Sequence, residues 1–386
     1  MQNHFDFIIL GSGLSGLMLA HKISEDAWFD NKKIAIIDQN IKNSNDRTWC
    51  FWDFAQHEFS DIVSKQWTHA IVANHHFKKS FDLKPYTYQM IKSKDFYHRI
   101  LCKLQQKDNF YFFLDNISTY KEINQKVELI GINTVYQADK LFSSIFDSKI
   151  LFNQKKYAYL KQHFVGWFIK TENESFSENE VHFMDFDIPQ QGHTRFMYIL
   201  PLSKNKALFE YTLFSENILE KEVYEEAIKN YLKEKKITNY EIIEKEQGNI
   251  PMTCFPFHKQ NSSHILYIGT AGGWTKASTG FTFTNTSTLV DKLINFIKKN
   301  KPLNQFYQPS RFWFYDLIFL EVLKQNNHKG SDIFVQLFKK NNTKTILDFL
   351  NNKTTLFQEV KIFMTLPIFL FIKHLFYSIY KVLKNR

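Results

Sequence analysis

The chain has 386 residues, 44% of them hydrophobic and 23% charged, which excludes a wholly disordered protein and predicts two or three packed subdomains. Its net charge of +10 lies at one end, because residues 292–386 contain 16 Lys/Arg but 5 Asp/Glu. Its three cysteines, widely spaced, give neither a disulfide framework nor a metal-ligand spacing, so we expect no metal and a reducing compartment.

The first 38 residues have the pattern of a dinucleotide-binding βαβ unit. Residues 5–10 predict a buried strand, residues 14–24 a helix and residues 33–38 a second strand. Three glycines separate the first strand from the helix: Gly11, Gly13 and Gly16. The first permits a tight turn, the second lets a pyrophosphate approach the backbone, and the third lets helix and strand pack closely. Asp38 ends the second strand, where an acid binds the adenosine ribose.

Residues 45–52 place polar and aromatic side chains close together just after this unit. One interpretation is a loop held to the core by its apolar side chains. The other places the loop, with Arg47, beside a bound flavin or at the mouth of a pocket. Further along, residues 120–152 predict an alternating β ribbon that returns to the nucleotide-binding domain.

The centre of the chain is rich in strands that no helix separates. Four segments have strand character: 159–170, 180–186, 194–201 and 207–214. Such a run predicts an antiparallel sheet that forms the wall of a substrate pocket. Residues 220–235 then predict a helix with a charged, solvated face.

Two acids in these strands are candidates for acid–base chemistry. Glu210 lies among apolar residues, and burial would raise its pKa toward that of a proton donor. Because a strand alternates its faces, Glu210 could equally point to solvent. The same argument applies, with less force, to Asp185.

A second glycine-rich segment follows the predicted strand at residues 264–268 and precedes a helix at residues 283–299. Its candidate cofactor-binding residues are Gly269, Gly272 and Gly273. Flavoproteins of the glutathione-reductase type use two such phosphate-binding segments, whereas a simple nicotinamide dehydrogenase lacks the second. The alternative is a glycine-rich surface loop. We therefore predict an α/β protein with a Rossmann-like FAD/NAD(P)-binding domain of glutathione-reductase type and an antiparallel β-sheet substrate domain.

These patterns predict three regions along the chain. Residues 1–300 form a discontinuous FAD-binding domain, into which the substrate domain is inserted at about 50–95 and 157–250. Residues 301–386 form a helical C-terminal region.

Residues 362–380 of that region are apolar but are interrupted by Pro367, Lys373 and His374. A charge inside a membrane span is costly, so an interfacial helix fits better than a spanning one. Four basic residues flank the segment and could meet anionic headgroups: Lys361, Lys381, Lys384 and Arg386. The alternative is a buried packing helix. No recognition module accompanies the positive charge, so we expect no nucleic-acid partner.

Taken together, these segments resemble the lycopene cyclase family of carotenoid biosynthesis, most closely its bacterial β-cyclases. The resemblance covers residues 5–283 and rests on ordered strings: the GSGLSG turn and residues 45–52, 86–96, 183–186, 198–203, 209–215, 248–252 and 269–280. In this family the essential Glu is often followed directly by a second acid. In this chain Tyr211 occupies the position after Glu210 instead. That departure leaves the proton acceptor open.

The resemblance implies an isomerase (intramolecular lyase) that closes the ends of lycopene to β-ionone rings. Glu210 would be the proton donor and Asp185 a supporting acid. FAD would act in its reduced form without net electron transfer, with NAD(P)H as the reductant that keeps it reduced. Because linear carotenoids are bilayer molecules, the enzyme would sit on the cytoplasmic face of the membrane as a peripheral or monotopic protein. The alternatives are an FAD-dependent hydroxylase or isoprenoid reductase, and a non-catalytic flavin-binding membrane sensor.

Overall fold

The computed structural model describes residues 3–132, 134–306 and 309–384. The strands of this part, in chain order, are β1 (Asn3–Leu10), β2 (Ile34–Asp38), β3 (Thr48–Asp53), β4 (Val63–Trp67), β5 (His69–Asn74), β6 (Phe77–Asp82), β7 (Thr87–Lys92), β8 (Phe110–Leu114), β9 (Ile117–Ile123), β10 (Lys126–Gly131), β11 (Val135–Ser143), β12 (Tyr159–Thr171), β13 (Glu180–Asp185), β14 (Thr194–Ser203), β15 (Lys206–Ser215), β16 (Tyr240–Thr253) and β17 (Ile265–Tyr267). Its α-helices are α1 (Leu14–Ser24), α2 (Ser93–Leu104), α3 (Lys149–Phe152), α4 (Lys221–Glu234), α5 (Phe283–Ile297), α6 (Arg311–Gln325), α7 (Gly330–Lys340), α8 (Thr343–Leu350), α9 (Leu356–Met364) and α10 (Ile368–Lys384).

The first sheet forms the nucleotide-binding domain. Its order is β8-β2-β1-β11-β10-β9, with β17 also beside β11. Strands β8, β2, β1, β11 and β17 run parallel. Strand β10 pairs antiparallel with the N-terminal half of β11, and β9 pairs antiparallel with β10. Helices α1, α2 and α5 pack on one face through buried residues such as Leu17, Ile100 and Leu293. This confirms the predicted Rossmann-like fold.

The second sheet has the order β16-β12-β15-β14-β13-β5-β6 and is antiparallel except where β13 pairs with β5. It contains the four predicted central strands as β12 to β15, and in addition β5, β6 and β16. A third, smaller sheet has the order β3-β7-β4. Helix α4 covers one face of the second sheet, where Trp167, Phe209 and Tyr211 pack with Tyr231. The opposite face, with Leu208 and its neighbours, belongs to the core shared with α6, α7 and α8.

The C-terminal region is helical, as the sequence predicts, but residues 362–380 are not one helix. Helix α9 ends at Met364 and α10 begins at Ile368, and the two are bent by 118° at this break. Pro367 explains the break, because proline lacks a backbone N–H and disfavours helical backbone in the residue before it. Of the helices that the structure describes, none alone is long and apolar enough to cross a membrane. The bent pair α9 and Ile368–Ser378 passes that test together, by length and composition.

Candidate functional site

The glycine turn between β1 and α1 leaves the start of the helix open. Gly11 has a φ of +96°, and a Cβ on Gly16 would lie 2.0 Å from the carbonyl oxygen of Gly11, so neither position accepts another residue without strain. A Cβ on Gly13 would meet nothing within 4 Å, and no side chain caps α1 there. The first N–H groups of α1 therefore face open space, which is the arrangement that binds a phosphate at a helix N-terminus.

Asp38 lies at the end of β2 beside this turn, where the sequence predicts it. Its Oδ2 accepts hydrogen bonds from the Ser12 backbone N–H at 2.7 Å and from the Ser12 hydroxyl at 2.9 Å. The Lys42 ammonium lies 3.6 Å from the same oxygen. The carboxylate thus ties the glycine turn to β2, in addition to the ribose-binding role that remains a prediction.

The second glycine segment lies against the first. Gly269 has a φ of +61°, and a Cβ there would lie 2.6 Å from the hydroxyl oxygen of Ser15 in α1. Gly273 also has a positive φ, +72°, and a Cβ on Gly272 would lie 2.1 Å from the Tyr267 carbonyl oxygen. The short strand β17 positions this segment by pairing with β11 in the first sheet. The fold therefore brings together the two segments that the sequence places more than 250 residues apart.

Both segments border a cavity of about 1000 Å³, which is at the upper end of ordinary ligand pockets. Gly13, Ser15 and Gly269 line it on the nucleotide side. Arg47 also lines it, and its guanidinium donates to the Asp46 carbonyl oxygen at 2.6 Å. Aromatic side chains form much of the remaining wall, among them Trp52, Phe164, Phe183, Phe196, Phe281 and Phe334. One cavity thus joins the glycine segments to an apolar, aromatic region.

The sequence predicts a loop at residues 45–52, but residues 48–52 form most of strand β3. Cys50 of this strand contacts Tyr88 and Tyr198 at the cavity wall, and the two tyrosine hydroxyls hydrogen-bond each other at 2.7 Å. Burial raises the pKa of the Cys50 thiol to about 12. These three groups are therefore neutral hydrogen-bonding groups at ordinary pH, beside the acids described next.

Glu210 is buried and lies on the cavity face of β15. The Thr212 hydroxyl donates a hydrogen bond to its Oε1 at 2.5 Å. Burial, followed by the nearby charge of Glu246 on β16, raises the pKa of Glu210 well above its ordinary value. Burial and the neighbouring Glu244 raise the pKa of Glu246 to about 7. A carboxyl that stays protonated inside an apolar cavity is suited to donate a proton.

Asp185 is also buried, but the structure does not bring it to the cavity with Glu210. The Tyr231 hydroxyl of α4 donates to its Oδ2 at 2.6 Å, and the Asp187 backbone N–H donates to its Oδ1 at 3.0 Å. Burial alone would raise its pKa, but His182, whose Nδ1 lies 3.7 Å from Oδ2, and the hydrogen bond from Tyr231 lower the pKa of Asp185 to about 2. It is a carboxylate that attaches α4 to the second sheet, and a direct supporting role in acid chemistry has no geometric basis.

Comparison with known proteins identifies the family. The model of a family described as lycopene cyclase protein matches residues 6–375. The chain belongs to the lycopene cyclase family. A lycopene β-cyclase from Pantoea ananas is 24% identical over 268 residues, which are 66% of this chain. The match spans 64% of the length of that relative, so slightly less than two thirds of it.

Solved structures that resemble this family member share its fold at low sequence identity. A geranylgeranyl bacteriochlorophyll reductase-like protein from Thermoplasma acidophilum has a TM-score of 0.62 at 9% identity and covers 98% of this chain and 100% of its own. A flavoprotein/dehydrogenase from Cytophaga hutchinsonii has a TM-score of 0.59 at 11% identity, covering 90% and 93%. A flavin-dependent brominase has a TM-score of 0.58 at 12% identity, covering 90% and 94%. These likenesses confirm the predicted fold class, an α/β protein with a Rossmann-like domain, an antiparallel sheet and a helical C-terminal region.

Sequence reasoning missed Glu246 and Gly166, which lie beside Glu210. Glu246 belongs to a charged run, Glu244 to Gln247, that has the composition of a solvated edge. Its signal was weak: it stands two residues before the 248–252 string that carries part of the family resemblance. Only the pairing of β16 with β12 places its side chain at the cavity.

Proposed function

We propose that this protein is a lycopene β-cyclase, an isomerase that closes the linear ends of lycopene or a related carotenoid to β-ionone rings. The observation that carries the proposal is the buried carboxyl of Glu210 in an aromatic cavity continuous with the glycine segments, where burial and Glu246 raise its pKa. Membership of the lycopene cyclase family supports the same substrate class.

The reaction that fits this cavity begins and ends with a proton transfer. The Glu210 carboxyl donates its proton to the terminal double bond of the carotenoid, which leaves a tertiary carbocation. The neighbouring double bond of the chain attacks that carbon, so a carbon–carbon bond closes a six-membered ring and the positive charge moves to a ring carbon. Loss of a ring proton to a carboxylate then gives the ring double bond. Atoms and electrons balance without an oxidant or a reductant.

The aromatic wall of the cavity suits a passing carbocation. Trp52, Phe183 and Phe281 line the cavity together, and the ring centroids of Phe183 and Phe281 lie 6.2 and 4.5 Å from that of Trp52. An aromatic face has negative electrostatic potential but no lone pair that would capture the cation. Apolar walls also exclude water, which would otherwise add to the cation. The cavity therefore favours ring closure over hydration.

Both glycine segments fit a dinucleotide. Gly13 and the N-terminus of α1 would hold the pyrophosphate, Asp38 the ribose, and Gly269 the second side of the cofactor, while Arg47 lines the same cavity. Bound as reduced FAD, the cofactor would supply negative charge that stabilises a nearby cation without net electron transfer. NAD(P)H is the reductant that we propose for keeping FAD reduced.

We further propose that helices α9 and α10 attach the protein to the cytoplasmic face of the membrane, as a peripheral or monotopic protein. They expose an apolar face whose members are Leu356, Phe357, Val360, Met364, Phe369 and Phe376. Lys361 and Lys373 are exposed on the same two helices and could meet anionic headgroups. The basic side chains of Lys381, Lys384 and Arg386 lie outside the described side chains.

Expression in a lycopene-accumulating bacterium, followed by pigment chromatography, tests the reaction. The native chain should convert lycopene to cyclic carotenoids, and Glu210→Gln should lower that conversion about 100-fold or more, because general acid catalysis typically contributes this much. Glu216→Gln is the matched control, since Glu216 lies one residue beyond β15 and pairs at the surface with Lys324. Unchanged lycopene beside folded, flavin-loaded native protein would contradict the proposal and favour a redox flavoenzyme or a sensor.

A further inference from the structure

Glu210 and Glu246 approach each other across a single glycine. Strand β12 lies between β15 and β16, and Gly166 of β12 is opposite Glu210 on one side and Glu246 on the other. Neighbouring strands are about 4.8 Å apart, so the two glutamates stand roughly 10 Å apart along the sheet, within reach of two long side chains. Their carboxyls meet above β12 in a hydrogen bond.

The missing side chain of Gly166 makes this approach possible. A Cβ at Gly166 would lie 3.1 Å from Cγ and 3.3 Å from Oε1 of Glu246, and 2.9 Å from Cδ1 of Leu208. An alanine there would therefore push the Glu246 side chain away from Glu210. A hydrogen bond between two carboxyl groups also requires a proton on one of them, because a carboxylate has acceptors but no donor.

The groups that surround the pair are mainly neutral or acidic. Tyr198 is opposite Glu210 on β14 and, with Tyr88 and Cys50, supplies the neutral cluster described above. Glu244 on β16 adds a negative charge. Lys161 lines the same cavity, but it lies on β12 five residues before Gly166 and therefore roughly 16 Å from it.

Two hydroxyls and one lysine complete the surroundings of the pair. The Thr212 hydroxyl donates to Glu210, and the Thr48 hydroxyl donates to Oε2 of Glu246 at 3.4 Å. Lys245, the neighbour of Glu246, pairs instead with Glu225 of α4 at 2.7 Å on the other face of the sheet. Because each threonine donates to only one oxygen, the other oxygen of Glu210 and of Glu246 is available for a hydrogen bond between the two carboxyls.

We propose that Glu246 is the positioning residue of the acid: the two carboxyls share one proton, and the Glu246 carboxylate holds that proton on Glu210 until the substrate takes it. This inference rests on the proposed role of Glu210 as proton donor. When Glu210 has protonated the carotenoid, the pair carries two negative charges beside one carbocation. Their mutual repulsion favours return of the ring proton to the pair, so the same two groups close the proton cycle and Tyr211 need not act as an acceptor.

The test is the pH dependence of ring closure by purified protein in lycopene-containing vesicles with reduced FAD. Glu246→Gln removes the neighbouring negative charge and offers Glu210 an amide donor, and both changes favour ionised Glu210. We therefore expect the pH at which activity falls on the alkaline side to move down by at least one unit. Glu246→Asp keeps the charge and should leave this pH close to the native value, at a lower rate. A purely structural role would lower the rate by one factor at every pH.

A second measurement does not depend on turnover. Infrared titration of the protonated-carboxyl band should show one proton shared by the pair in the native protein, with an earlier loss in Glu246→Gln and in Gly166→Ala. In Glu210→Gln only the Glu246 carboxyl should remain, and its band should disappear as pH rises through about 7. Alkaline limits and titrations that match the native protein in both Glu246→Gln and Gly166→Ala would overturn the pairing while leaving Glu210 as donor. Full activity of Glu210→Gln would instead overturn the proposed function.

Discussion

Two buried carboxyl groups in one sheet have pKa values shifted in opposite directions, because their surroundings differ. Glu210 receives one hydroxyl donor, from Thr212, and faces a second acid, so burial dominates and its pKa is raised. Asp185 accepts hydrogen bonds from Tyr231 and a backbone N–H and has His182 3.7 Å away, and together these more than offset burial. The strand face on which each residue lies decides which partners it meets, and thus separates the proposed proton donor from the carboxylate that attaches α4 to the sheet.

For Asp185, the structural role predicts a loss of stability without a loss of chemistry. Because its folded pKa of about 2 is below the ordinary value of 3.8, the group contributes stability that is present above pH 4 and is lost as pH falls toward 2. Asp185→Asn should lower the free energy of unfolding at pH 7 by about 2 kcal/mol, and by less at pH 3. Urea unfolding at both pH values measures this difference.

The control for this variant is Tyr231→Phe, which removes the hydroxyl donor and leaves the ring packed against Phe209. It should also destabilise the protein, by about 1 kcal/mol. Both variants should keep ring-closing activity when folded. A loss of activity in well-folded Asp185→Asn, comparable to that of Glu210→Gln, would restore Asp185 as a supporting acid.

At the scale of elements, the second glycine segment needs glycine both for its left-handed backbone and for its close contact with α1. Gly269 combines a left-handed backbone with a contact to Ser15 that leaves no room for a Cβ. Gly192, in the loop between β13 and β14, has a similar φ of +79° but open space around it. The two positions therefore separate backbone strain from loss of contact between the segments.

Gly269→Ala should lower the flavin content of the purified protein at least several-fold, because the added methyl group pushes the second glycine segment away from α1. Gly192→Ala bears only the cost of the left-handed backbone, about 1 kcal/mol, and should retain its flavin. The ratio of flavin to protein absorbance measures both. Equal flavin content in the two variants would contradict a cofactor-binding role for the 269–273 segment.

Elements with a local signal could be predicted from the sequence, and those that depend on strand register could not. The turn at Gly11 to Gly16, helix α1 and strands β12 to β15 follow from apolar periodicity and glycine position, which act over a few residues. The proximity of Glu246 to Glu210 depends on which strand pairs with β12 and in what register. Likewise, hydropathy alone predicts a helix across residues 362–380, and Pro367 and tertiary packing divide it.

At the scale of the whole molecule, the net positive charge and the exposed apolar face both lie in the C-terminal quarter. Helices α7 and α8 also line the cavity, through Phe334, Phe338 and Leu350. The region proposed to meet the membrane is therefore continuous in sequence with the wall of the substrate cavity. This arrangement suits a substrate that is delivered from lipid.

Membrane attachment predicts a selective effect of Phe369→Asp. The Phe369 side chain is 87% exposed, so its replacement leaves the fold unchanged but removes apolar area that would be buried in lipid. Binding to vesicles that contain phosphatidylglycerol should fall about tenfold or more, as the transfer free energy of one Phe side chain implies. Ile218→Asp, at a residue 52% exposed in the loop after β15, is the control and should bind normally. Equal sedimentation of both variants with vesicles would contradict attachment through α10.

The pairing of β17 with β11 has a consequence for how the protein is made. The ribosome synthesises the first glycine turn within the first 16 residues, but the second segment appears only after residue 269, and three residues of β17 hold it in place. A nascent chain that ends before residue 269 has only the first of the two glycine segments. If both segments bind the flavin as proposed, flavin uptake is a late event of biosynthesis, and a yellow colour in the purified protein would report that both ends of the Rossmann-like domain have assembled.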